Sequence, residues 1–189
     1  MGVDISGINP NLKSPKPEQP DWDTATDVER SSYWEALSEW QQENPGYYFR
    51  ASWWTWRPIV NLIDYASNLY NLGIETKSMH YNDGKGIETQ EGCDRLADAL
   101  ENVLDSDERL SEEGAVIYLC LGSWCTIDGQ FLSNGIDEKL LKDHPIGTLL
   151  FTPVVMQDGT MAVSSHSCEV EYVKEFIKFL RQCGGFQVW

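Results

Sequence analysis

"YYFRASWWTWRP" at residues 47–58 sets three tryptophans and two arginines into twelve positions and closes on a proline. Read as a strand, the run alternates. Tyr48, Arg50 and Ser52 point one way; Tyr47, Phe49, Ala51 and Trp53 point the other. Pro58 then suits the first turn of a helix, where a missing N–H removes no hydrogen bond. An apolar stripe follows at helical spacing: Ile59, Leu62, Ile63, Ala66, Leu69 and Tyr70. Gly73 stands where a left-handed cap belongs. The stretch is therefore a strand-to-helix corner, and two roles compete for it. In the favoured one the tryptophans staple strand to helix. In the other, Arg57 lies at the helix N-terminus, where free N–H groups and the dipole attract an anion, and Trp54 or Trp56 stacks a base.

Elements on either side extend the pattern. Val3 and Ile5 give residues 1–8 the alternation of a strand. Four prolines in "NPNLKSPKPEQPDWD" interrupt any period. Thr26 and Glu29 form a capping box for a first helix, which turns Tyr33, Leu37 and Trp40 inward and stops before Asn44-Pro45-Gly46. A third helix runs from about 89 to 104, with Cys93, Leu96, Ala97, Leu100, Val103 and Leu104 inward. "AVIYLCLG" at 115–122 has the length and apolarity of a central, doubly covered strand. A hairpin is expected about Asp128-Gly129, helical turns at 136–142, and two strands joined around Asp158-Gly159. The last helix starts near Cys168, buries Val170, Val173, Phe176, Ile177 and Leu180, and ends before Gly184-Gly185. "FQVW" reads as a final strand. Helices and strands interleave without strict alternation. The expected fold is α+β: one domain over 1–189, a mixed or antiparallel sheet with about four helices packed on it, and a Pro-rich acidic insertion at about 11–44.

The net charge is −16. A direct nucleic-acid partner or an anionic membrane would be repelled; a basic protein surface would be attracted. The charge is concentrated. Residues 18–43 hold eight acids against Arg30, and residues 88–113 hold ten against Arg95 and Arg109. The plain reading is two solvated helix faces. The functional reading makes Glu29, Glu35 and Glu39 of the first helix and Glu91, Asp94, Asp98, Glu101 and Asp105 of the third a partner-binding set. Five cysteines are an odd number. With no signal peptide and no apolar run of about 18 residues, reduced thiols and a cytoplasmic setting are expected.

Three further clusters invite chemistry. In "HYNDGKG", His80 and Asp83 lie close enough to act as a base and its orienting group, although an ordinary Asn-Asp-Gly turn explains the same residues. In "SSHSCEV", Cys168 at a helix N-terminus would have a lowered thiol pKa with His166 nearby; Ser167 as a helix cap is the simpler account. Cys120, Cys125, His166 and Cys168 hold zinc-type donors without a Cys-x-x-Cys pair, so no metal is assigned, and no cofactor is implied.

"MGVDISGINP", "GYYFRASWWTWRP", "HYNDGKGI" and "FLRQCGGFQVW" together resemble a family of small bacterial and phage proteins. Those proteins open with Met-Gly-x-Asp-x-x-Gly-x-Asn-Pro and carry Tyr-Phe-Arg leading to Trp-x-Trp-Arg-Pro. The resemblance implies no assigned activity; it points to an accessory or inhibitor-type role in a host cytoplasm. Two functions remain. The first is a non-enzymatic acidic protein that engages a basic protein surface. The second binds a small anionic ligand or nucleotide, with hydrolysis in reach, through Arg50, Trp54, Trp56, Arg57, His80 and Asp83.

Overall fold

Val3 and Ile5 are fully buried while Asp4 between them is not, so the first strand lays one face on the core. The computed structural model describes residues 2–106, 116–118, 154–155, 161–162 and 167–189. Strand β1 (Gly2–Gly7) pairs antiparallel with β2 (Tyr48–Ser52) on one side and with β8 (Phe186–Val188) on the other. Strand β3 (Lys85–Ile87) completes the sheet in the order β2-β1-β8-β3, antiparallel throughout. The two inner strands are thus the first and the last of the described chain. Phe49, Ala51, Phe186 and Val188 join Val3 and Ile5 on the buried face. Tyr172 blunts the edge of β2 by donating its hydroxyl to the Arg50 carbonyl.

The fold is α+β, as the interleaved pattern predicts. Four helices accompany the sheet among the described residues: α1 (Asp27–Glu43), α2 (Trp53–Leu69), α3 (Gln90–Ser106) and α4 (Val170–Leu180). Helices α2, α3 and α4 close the main core, which gathers Ile59 and Ile63, Leu96 and Leu100, and Phe176 and Phe179 against the sheet. Helix α1 buries Tyr33, Leu37 and Trp40 in a smaller cluster and reaches the β2 end through Tyr47, whose ring meets Trp40 edge-on at 4.8 Å. Its capping box is complete: the Glu29 N–H donates to the Thr26 hydroxyl and the Thr26 N–H to the Glu29 carboxylate.

The proline-rich segment is fastened rather than loose. Asn9 and Asn11 donate N–H groups to the carbonyls of Cys183 and Gln182 at 3.2 and 2.8 Å. Further on, Trp40 donates its indole N–H to Ser14 at 3.0 Å, and Lys13 donates its N–H to the buried Asn44 side chain at 2.6 Å.

Several local expectations need correction. Helix α2 starts five residues before Pro58, because Ser52 takes the cap and accepts the Thr55 N–H at 3.1 Å. Leu69 and Tyr70, expected inward, are exposed. Leu69 is the last residue of the helix and Tyr70 its cap, in a Schellman motif: Leu72 donates to Ser67 at 2.9 Å across Asn71, whose φ is 53°. Asn71, not Gly73, is therefore the left-handed cap. Helix α4 starts after Cys168 and takes Glu169 as its cap residue, so Ser167 does not fill that place. Cys168 lies instead in β7 (Ser167–Glu169), which pairs with β4 (Val116–Tyr118). The described part of "AVIYLCLG", Val116–Tyr118, thus pairs in a second ladder and not in the four-stranded sheet. Strands β5 (Val154–Val155) and β6 (Met161–Ala162) pair antiparallel, and the Asp158-Gly159 turn expected to join them lies outside the described residues. The hairpin at Asp128-Gly129, the turns at 136–142, and Cys120, Cys125 and His166 lie outside the described residues.

The turn at Gly184-Gly185 delivers β8 into the sheet. Gly184 has φ +66°, and a Cβ there would sit 1.9 Å from the Asn9 carbonyl oxygen. Backbone would have to move for any side chain to fit. Gly184→Ala is therefore expected to cost at least 2–3 kcal/mol, roughly a large single-substitution loss, read from the denaturation midpoint. A midpoint shift equivalent to less than about 0.5 kcal/mol would contradict the packing of this turn.

Candidate functional site

The strand-to-helix corner sorts its aromatic and cationic residues to different places. Trp56 is fully buried, donates its indole N–H to the Met79 carbonyl at 2.7 Å and meets Phe176 edge-on at 5.5 Å. It braces α2 against α4 and against the short 3-10 turn at Lys77–His80. A ring so placed has no face left for a ligand. Trp54, by contrast, is 58% exposed. Trp53 carries the Arg57 guanidinium over its ring at 5.6 Å.

The two arginines serve different surroundings. Arg50 projects from the side of the sheet opposite the core and faces the Asp4 carboxylate at 3.8 Å. Tyr48 donates its hydroxyl to the same carboxylate. Burial, reinforced by that bond to an anion, pushes the Tyr48 phenol up to about 12. Arg57 is the fifth residue of α2 rather than its entrance, so the helix-terminal anion site does not form around it. Its charge instead reaches His80. Burial first, and Arg57 second, lower the His80 pKa, and Asp64 opposes them. Asp64 is held in turn by the Thr76 hydroxyl at 2.8 Å and the Asn68 amide at 3.3 Å. The charges of Arg57 and Asp64 thus act on His80 with opposite sign. Asp64 carried no sequence signal beyond its place five residues after Ile59 on a helix.

Asp83 takes a local role. Its carboxylate accepts the Lys85 N–H at 3.1 Å, the ordinary turn that the Asn-Asp-Gly sequence favours. No hydrogen bond or ion pair joins it to His80 among the described residues. Gly84, φ +76°, lies under the Trp189 indole; a Cβ there would come within 2.7 Å of the ring. The chain's last aromatic thus covers the loop.

Cys168 is buried, and that burial, with Glu169 beside it, pushes its thiol up to about 12. This is the reverse of nucleophile activation. Among the described residues no His, Cys, Asp and Glu group has the form of a metal site, and no helix is long and apolar enough to cross a membrane.

The acidic helices also differ from one another. On α3, the Arg181 guanidinium takes Asp98 at 2.7 Å, Glu101 at 2.6 Å and Asp94 at 4.0 Å. Glu91 and Asp105 are exposed. On α1, Glu29 belongs to the capping box, while Glu35, Glu39 and Glu43 stand exposed at four-residue spacing. Beside them the Trp22 and Trp34 rings stack at 5.7 Å, the second 57% exposed. Sequence reading singled out the acids of this segment and missed the indole pair, because Trp22 lies outside any periodic element.

No family model, curated protein or solved structure matches the chain.

Two measurements check these placements. Trp56→Ala should lose about 3–5 kcal/mol of stability, and Trp54→Ala less than about 1, compared by urea denaturation. Equal losses would contradict the division of roles. For His80, a pKa below the unfolded-state value means that the unfolded chain binds the proton more readily. Its contribution is complete above pH of about 6.5 and declines as the pH falls through that value. Wild-type stability should therefore drop relative to His80→Gln between about pH 7 and 5. A gap that is flat over this range, or widens in the wild type's favour, would show that His80 is not held in the neutral form.

Proposed function

We propose that this protein is a non-enzymatic binding protein whose α1 face engages a basic protein surface. The observation that carries the proposal is the exposed, stacked Trp22–Trp34 pair inside the most acidic part of the described chain. Exposed indoles are costly in water and common at the energetic centre of protein interfaces. Here they are flanked by Asp21, Asp23, Glu35 and Glu39, with Val28 also 74% exposed. An apolar centre with a charged rim is the usual anatomy of a binding patch. The acids would steer a basic partner, and the indoles would hold it. Helix α3 contributes less to this surface, since Arg181 already occupies Asp94, Asp98 and Glu101. The resemblance to small bacterial and phage proteins supports an accessory or inhibitor-type role acting in a host cytoplasm.

A second reading rests on a different observation. The Arg57 charge acts on the half-buried His80, and exposed Trp54 lies three residues before Arg57 on α2, a set suited to a small anion or nucleotide. Arg50 and Asp83 belong to other local networks, which leaves this reading with fewer groups than the sequence offered it.

The test uses the immobilised chain and a cell lysate at low and high salt. A captured basic protein should be released by salt. It should also be lost with Glu35→Lys plus Glu39→Lys, and separately with Trp34→Ala. Capture that ignores salt and both variants would overturn the proposal. A melting temperature raised by nucleotides or inorganic phosphate, and not in Arg57→Ala, would favour the second reading instead.

A further inference from the structure

Cys93 on α3 and Cys183, in the turn between α4 and β8, bring their sulfurs to 3.5 Å with both side chains fully buried. Ninety positions of sequence separate them, and both are free thiols. Their surroundings hold the contact from two sides. Gln90, at the start of α3, accepts the Gly184 N–H at 2.7 Å and donates its amide to the Leu180 carbonyl at 2.8 Å. The Cys183 carbonyl accepts the Asn9 N–H at 3.2 Å. The same turn seats β8 between β1 and β3. A disulfide requires sulfurs about 2.05 Å apart, so this pair must close by only about 1.5 Å.

We propose that Cys93 and Cys183 are a redox couple, a dithiol that a peroxide converts into a disulfide fastening α3 to the turn that carries the last strand. Buried cysteines are often only small apolar residues. Cys168 is of that kind: buried, and bonded through its thiol to the Glu169 carbonyl. The Cys93–Cys183 pair differs in its direct sulfur contact; Cys183, like Cys168, also directs its thiol at a backbone carbonyl, that of Leu180 at 3.4 Å. The pairing lowers the Cys183 pKa and raises that of Cys93; burial opposes the first shift and adds to the second. Of the two, Cys183 is the sulfur that attacks, once its thiol proton is lost.

The chemistry closes with peroxide as the oxidant. The Cys183 sulfur attacks one peroxide oxygen and the O–O bond breaks. The hydroxide released takes the proton that Cys183 gave up and leaves as water, and Cys183 becomes a sulfenic acid. The Cys93 sulfur then attacks the sulfenic sulfur and gives up its proton. The S–O bond breaks, and hydroxide leaves with that proton as a second water. Two electrons pass from the sulfurs to the peroxide.

The experiment treats the folded protein with hydrogen peroxide, unfolds it, alkylates the remaining thiols and digests with trypsin. Cleavage after Lys85, Arg95 and Arg181 places Cys93 in a peptide of residues 86–95 and Cys183 in one of 182–189, apart from all other cysteines. The expected product joins those two peptides and disappears with dithiothreitol. The oxidised protein should melt roughly 5–10 °C higher, and Cys93→Ser should lose that gain. If Cys93→Ser does not fold, the wild-type peptide map and its reversal decide alone. Recovery of both peptides alkylated would overturn the proposal. So would a sulfinic product, pairing with any other cysteine, or a cross-link that forms only when denaturant accompanies the peroxide.

Discussion

The fold depends on a single indole held in place on all sides. Trp56 fills the middle of the core, spends its one polar group on the Met79 carbonyl, and presents its ring edge-on to Phe176. Three segments far apart in sequence meet there: the start of α2, the 3-10 turn before β3, and α4. A buried indole without an acceptor would leave a costly orphan N–H. The bond to Met79 thus both satisfies the tryptophan and fixes the loop that leads into the sheet's β3 edge. From that brace outward, the sheet closes by joining the first and last described strands at its centre.

Much of this was legible in the residues. Val3 and Ile5, Phe49 and Ala51, and the stripes of α3 and α4 announced their buried faces through period alone. The Thr26–Glu29 capping box was readable because both of its bonds are local. Boundaries that depend on competition between caps were harder. Pro58 suggested a helix start, yet Ser52 supplies a better one with its hydroxyl on Thr55. Gly73 suggested the helix end, yet Asn71 adopts the left-handed conformation first. The candidate site was less legible than the fold. The Arg57 charge does act on His80, but so does that of Asp64, whose place is set by how α2 packs. The Trp22–Trp34 stack depends on a loop with no period to read.

Charge is divided by the same architecture. Arg181, at the end of α4, gathers three carboxylates of α3 and turns part of one acidic segment into an interhelical clamp. Each such pair at a partly exposed site contributes modestly to stability. Helix α1 has no such arginine on its Glu35–Glu39–Glu43 ridge among the described ion pairs, so its field faces water. Two segments of similar composition thus acquire different roles from where one guanidinium sits. The side of the sheet opposite the core is polar in a third way, through the Asp4, Tyr48 and Arg50 group.

Hydrogen exchange at the indole N–H of Trp56, followed by NMR in the native state, tests the central claim most directly. A brace that opens only when the whole fold opens should exchange with the free energy of global unfolding, among the slowest protons of the molecule. Exchange at a small fraction of that free energy, with the rest of the core still protected, would mean that the corner breathes independently and that Trp56 does not hold the structure together.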